Sequence, residues 1–259
     1  MNFSTAAKYQ FHDGKKSLIV FGIVMASLLV IFIAICLIVM VWIDVPGSSV
    51  DLGEATDVDI WQYMQFLEVT SVIFLAVFGM CSYKENFLMM TQNGVSRKTI
   101  FLSRAAVFGE AAALVFAGCV VFYYLTMIVL KIISSINGEK YIFRLAFWQP
   151  GTNPISSSLE MIIVFIAVMF VGYFITVLFY RMNKAGKIAV PIALLILLNT
   201  VPIVDSMLND GRILTIAGNI ISWAASTPIN GIIFDLIIIA VFGCASWLIM
   251  RRAPVKRVN

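Results

Sequence analysis

Six stretches of the chain are apolar almost without interruption, and short polar or charged segments separate them. Taken by window and flanking charge, they cover about 18–43, 62–82, 105–130, 158–180, 187–204 and 232–250. Each meets the length that reads as a membrane crossing, roughly 18 apolar residues or more. In lipid each must be helical, because an open strand would leave backbone groups unpaired. The pattern therefore predicts an all-α integral membrane fold, with six transmembrane helices in one polytopic domain spanning 1–259. Finer patterns add to this frame. Phe3, Ala7 and Phe11 recur at helical spacing, which predicts an N-terminal interfacial helix within 1–17. Ile213, Ile216, Ala217, Ile220 and Ala224 do the same in 205–231, which reads as an outer interfacial or re-entrant segment before helix six. Pro191 and Pro202 bracket span five around Asn199. Span three carries a small-residue ladder, Ala105, Gly109, Ala113 and Ala117, expected to pack within the subunit. Ser157-x-x-Glu160 reads as a capping box at the start of span four.

Composition agrees with a membrane setting. Of 259 residues, 61% are hydrophobic and only 12% charged, and mean hydropathy is +0.98. The first apolar stretch is longer than the roughly 7–15 apolar residues of a signal peptide, so it is read as a retained helix. Charge then sets orientation. Fourteen Lys and Arg fall in the N-terminal head, 83–104, 181–187 and the tail, against four in the alternate segments. Segment 44–61 holds five acids and no cation. Cationic loops stay inside, so both termini are expected in the cytoplasm and the chain in the plasma membrane.

Several chemistries are excluded by what is missing. The single histidine, His12, lies in the head, so no histidine-based protease or histidine-ligated metal centre is assembled from the spans. Ala185-Gly186-Lys187 lacks the remainder of a P-loop, and no enzyme activity or cofactor is assigned to the chain. Cys36, Cys81, Cys119 and Cys244 lie in or beside spans without metal-ligand spacing. Its cations are scattered over four segments, which argues against nucleic acid. Glu68, Glu110 and Asp235 lie within predicted spans and are candidates for a substrate or coupling role.

Segment 84–104 is distinctive. Phe87, Leu88, Met89 and Met90 form an apolar patch, Asn93-Gly94 breaks the helix as a left-handed cap would, and Ser96 is suited to cap the next one. A helix from Arg97 to Leu130 would be about 51 Å long and must project beyond a core of about 30 Å. Arg97 and Lys98 then sit at the unfavourable end of the helix dipole. An apolar patch with a basic rim reads as a docking surface for a cytoplasmic partner.

Glu85, Phe87, Met89, Gly94, Ser96, Arg97 and Lys98, in the order E-x-F-x-M-x-x-x-x-G-x-S-R-K, resemble the coupling-helix loop of ABC-2-type transporter permeases. The group associated with Gram-positive lantibiotic, bacteriocin and peptide export is the nearest in character. The loop LFYRMNKAGK at 178–187 is similar to that group's second cytoplasmic loop. The resemblance implies a permease without chemistry of its own. It would export an amphipathic peptide or lipid-like compound and pair, as a homodimer or permease pair, with two ABC ATPase subunits that bind ATP and magnesium. It also implies that Phe87 to Met90 seat in the ATPase groove, that Glu85 and Arg97 touch its rim, and that Gly94 is the hinge. Two other readings remain open: an ATPase-independent transporter or substrate-binding component, and a non-transporting peptide-immunity or sensor protein.

Overall fold

A computed structural model describes residues 3–43, 59–81, 83–137, 153–208 and 212–252. The expected outer loops 44–61 and 131–157 fall largely outside the described residues. Among those described, the chain is all-helical, with α1 Phe3–Ile43, α2 Asp59–Cys81, α3 Lys84–Gln92, α4 Arg97–Asn137, α5 Pro154–Arg181, α6 Lys184–Leu208, α7 Arg212–Ser226 and α8 Pro228–Arg251. Among the described residues, four stretches are long and apolar enough to cross a membrane: Glu68–Gln92, Arg97–Val129, Pro154–Arg181 and Pro228–Arg251. The protein is membrane-embedded and helical.

Side-chain contacts fix the direction of each helix. Phe21 of α1 stacks on Phe74 of α2 while Gly14 lies against Phe78, so these two run antiparallel. Phe101 and Phe108 of α4 both meet Phe170 and Tyr173, which sets α4 against α5. Tyr83 meets Tyr180 near the end of both α2 and α5, and Tyr173 of α5 reaches Met250 of α8, so α2, α5 and α8 run together. α1 and α4 run the other way. The start of α1, the start of α4 and the ends of α5 and α8 therefore share one end of the bundle, which also gathers Lys15, Lys16, Lys98, Arg181 and Arg252. We refer to it as the basic end.

The core lies where α2, α4 and α5 cross, around Leu75, Val107, Phe108, Phe165 and Tyr173, all essentially inaccessible. Its closest backbone approach needs glycine on both sides. A Cβ on Gly79 would strike the Met169 carbonyl oxygen of α5, and one on Gly172 would strike the Ala76 carbonyl oxygen of α2. Small residues at such crossings let dispersion act between backbones, where the hydrophobic effect offers no drive in lipid.

Several local expectations change. The N-terminal head is not a separate interfacial helix: α1 is continuous for 41 residues, about 60 Å. No proline interrupts it, and Gly14 gives the Phe78 ring room at the point where a break was expected. α4 also runs for 41 residues, starting at Arg97 as predicted but continuing seven residues beyond Leu130. The Ala105–Ala117 ladder packs inside the chain only at its start: Ala105 is half-buried against the core, whereas Ala113 and Ala117 are exposed and nothing approaches the Gly109 Cβ position. The capping box at Ser157–Glu160 is also incorrect. α5 begins earlier, where Asn153 accepts from the Ile155 N–H at 3.1 Å and Pro154 fills the first position. Asn followed by Pro is the stronger start signal, since one supplies the acceptor and the other needs none. α6 holds both Pro191 and Pro202 within continuous helix. α7 is helical as expected, with Ile213, Ile216 and Ile220 exposed and Ala224 buried.

Candidate functional site

The connection from α3 to α4 forms an elbow at the basic end. Its turn is a Schellman motif: the Val95 N–H reaches the Met90 carbonyl at 3.0 Å and the Gly94 N–H reaches that of Thr91 at 3.1 Å. Gly94 takes φ +72°, the left-handed conformation that side chains with a Cβ resist. Buried Val95 packs the apolar contact that accompanies this motif. Ser96 caps α4, its Oγ accepting from the Thr99 N–H at 3.2 Å and meeting Thr99 Oγ1 at 2.8 Å. Both sequence-derived roles, the glycine cap and the serine cap, are present.

The apolar patch does not project as expected. Phe87 and Met90 are 0% and 2% exposed. Phe87 stacks on Tyr83 with centroids 5.1 Å apart and meets Tyr180 edge-on at 5.9 Å. Tyr83 in turn abuts Tyr173 and Tyr180, both at 5.4 Å. A nine-residue helix carries too little apolar surface to be stable alone, so its inner face is used to hold it to α5. Leu88 is half-buried and Met89 remains 48% exposed. Glu85 lies in the first turn of α3, and its side chain is outside the described ones.

The head of α1 braces the other side. Buried Gln10 donates from Nε2 to Ser103 Oγ at 2.9 Å, to the Ile100 carbonyl at 3.4 Å and to Met90 Sδ at 3.1 Å. Tyr9 donates to Met89 Sδ at 2.7 Å, and Asn86 to Asp13 at 3.0 Å. Arg97 makes the third attachment. Its Nη1 donates to the carbonyls of Arg251 and Met250, at 2.6 and 3.2 Å. These carbonyls lie in the last turn of α8, where a cation is favoured. Arg97 is thus placed against its own helix dipole but with that of α8. Lys98 and Ser96 remain exposed. Arg104, counted from sequence among the loop cations, is 3% exposed, with its guanidinium 5.9 Å from the Phe108 ring centroid.

The three candidate acids are not brought together. Glu68 is half-buried on α2, one turn before Ser71, whose hydroxyl is 3.5 Å from Cys119 Sγ. Glu110 is exposed on α4, on the rim of a groove shared with Phe3, Ala7, Lys8 and Phe11 of α1. Asp235 is buried on α8. Sequence reading missed Gln10, Tyr83, Tyr173 and Tyr180. The Tyr173/Tyr180 spacing of seven on one helix face was the available signal for part of this cluster.

No family model matches the chain, and neither a curated protein nor a solved structure matches it. What stands is a membrane-embedded helical protein whose basic end carries a short, capped and multiply anchored surface helix.

Proposed function

We propose that the chain is the permease subunit of an ABC-2-type transporter exporting an amphipathic peptide or lipid-like compound across the plasma membrane. In this reading it has six spans, with α7 as the outer interfacial or re-entrant element and both termini in the cytoplasm. A separate ATPase, binding ATP and magnesium, docks at the elbow, and two permease subunits complete a complex of two and two. The observation that carries the reading is the elbow itself. A nine-residue helix at the basic end is joined to α1 and α5, and the start of α4 that follows it to α8, while Met89 and Lys98 stay exposed beside the turn. The division of labour differs from the sequence expectation: Met89, Asn93 and Lys98 would form the docking face, while Phe87 and Met90 would transmit force to the bundle.

Co-purification with the P-loop ATPase encoded nearest the gene tests this. The wild-type chain should retain the ATPase in detergent, and Met89→Glu with Lys98→Glu should lower its recovery at least tenfold with helicity and monodispersity preserved. Full recovery by that double variant would remove the docking assignment. A wild-type chain that retains no ATPase would favour the transporter or immunity readings without a motor.

A further inference from the structure

At the end opposite the elbow, the seam between α5 and α8 holds two carboxylates. Gly231 of α8 is buried, and Oε1 of Glu160 occupies the place where a Cβ would stand. Glu160 therefore points across at α8 rather than along its own helix. One turn beyond Gly231, on the same face, Asp235 is only 9% exposed. Glu160 at Gly231 and Asp235 one turn on therefore share the same α5–α8 seam. Neither forms a hydrogen bond or an ion pair with any described residue.

Among the described residues, this arrangement lacks a positive charge. Like charges side by side in a low-dielectric setting are costly, and a buried charge left uncompensated is strongly disfavoured. The helix dipoles do not compensate, because their effect fades within the first turn. Glu160 is the seventh residue of α5 and Asp235 the eighth of α8. A multidentate metal is a poor occupant, since no three His, Cys, Asp or Glu gather among the described residues. An ammonium group fits better: it carries one charge and three N–H donors to share between two carboxylates. On the same turns of the two helices, Ile155, Leu159, Ile233 and Leu236 are 43% to 70% exposed, so this end of the pair presents apolar surface on which an alkyl stem can lie.

We propose that Glu160 and Asp235 form a binding site for the primary ammonium group of an amphipathic amine, entered beside half-buried Glu160. The site is independent of the ATPase reading; if that reading holds, it names the substrate chemistry as cationic and amphipathic.

The probe is n-octylammonium, titrated calorimetrically into the full-length chain in detergent at neutral pH. Saturable binding is expected, at least tenfold weaker in Asp235→Asn and in Glu160→Gln. Gly231→Ala, which displaces the Glu160 carboxylate without changing charge, should weaken it similarly. Octyltrimethylammonium, with no N–H to donate, should bind at least tenfold more weakly than octylammonium. Equal affinity in wild type and in a monodisperse Asp235→Asn variant would overturn the proposal, as would absence of saturable binding. Calcium or sodium chloride binding in place of the amine would assign the pair to an inorganic ion and overturn it too.

Discussion

Arg97 offers the sharpest check on how the basic end is built. Replacing it with Gln keeps much of the stem but removes the charge that donates to the Met250 and Arg251 carbonyls at 3.2 and 2.6 Å. A hydrogen bond from a charged group contributes about 1.5–3 kcal/mol when buried, and the cation gains roughly 0.3–1 kcal/mol from the α8 dipole. Two corrections reduce this. The shorter bond is solvent-exposed, so it is worth less than the buried figure. Removing the cation also relieves its conflict with the start of α4, returning about 0.3–1 kcal/mol. The net loss is about 1–2 kcal/mol, borne by the last turn of α8. Hydrogen–deuterium exchange reads this directly: amides around 249–252 should exchange roughly tenfold faster in Arg97→Gln, since about 1.4 kcal/mol is a factor of ten. Amides at the α4 start should change little, because Ser96 still caps it. Unchanged exchange at 249–252 would show that the clamp contributes nothing. Acceleration at 97–100 alone would place Arg97's role on its own helix.

Other consequences follow from the same geometry. Gly94→Val should destabilise the chain by about 1–2 kcal/mol through its left-handed backbone, with Gly94→Asn much milder, measured by thermal unfolding in detergent. Ser96→Ala should cost about 1 kcal/mol through the lost cap, seen as faster exchange at Lys98 and Thr99. Gly172→Leu should separate α2 from α5 and cost at least the roughly 1–3 kcal/mol of overpacking, read by thermal unfolding in detergent. Phe87→Ala should lower stability by about 3–5 kcal/mol without any partner present, whereas Met89→Ala should leave the isolated chain within about 1 kcal/mol.

Periodicity and capping chemistry are local, and local features were legible. Gly94 and Ser96 announce themselves because only certain residues tolerate a left-handed turn or supply a capping oxygen. The four clear spans follow from length and hydropathy alone. Surface against interior is a different matter in a membrane protein, because lipid-facing and core-facing positions are equally apolar. Nothing in the sequence distinguishes buried Phe87 from exposed Met89 two residues later, and the patch was read as outward for that reason. The same degeneracy hid the Gly79–Gly172 crossing while promoting the Ala105–Ala117 ladder, of which only Ala105 meets the core. Long-range polar partners were invisible too. Gln10 and Ser103 are 93 positions apart, and Arg97 looked misplaced until the end of α8 supplied its acceptors. Glu160 was misread because a nearby serine offered a familiar cap, although Asn153-Pro154 was the stronger signal upstream.

α5 and α8 connect the two ends of the molecule. At the basic end they receive Tyr83 and Phe87 through Tyr180, and Arg97 through the Arg251 carbonyl. At the far end they supply Glu160 and Asp235. Between, Phe174 meets Phe242 at 5.2 Å and Phe170 lies over Gly243, so the pair stays packed along its length. Two helices packed in this way shift together more readily than they slide apart, since a dense interface resists continuous deformation. Packing alone is not coupling, which requires an element with two arrangements that both ends bias. The discriminating measurement is exchange at 93–99 with and without n-octylammonium. A change at the elbow in wild type that disappears in Asp235→Asn would identify the α5–α8 pair as that element. Protection confined to the far ends of α5 and α8 would leave the ammonium site standing but separate it from the elbow, and the elbow would then act on the bundle through α1 and α4 instead.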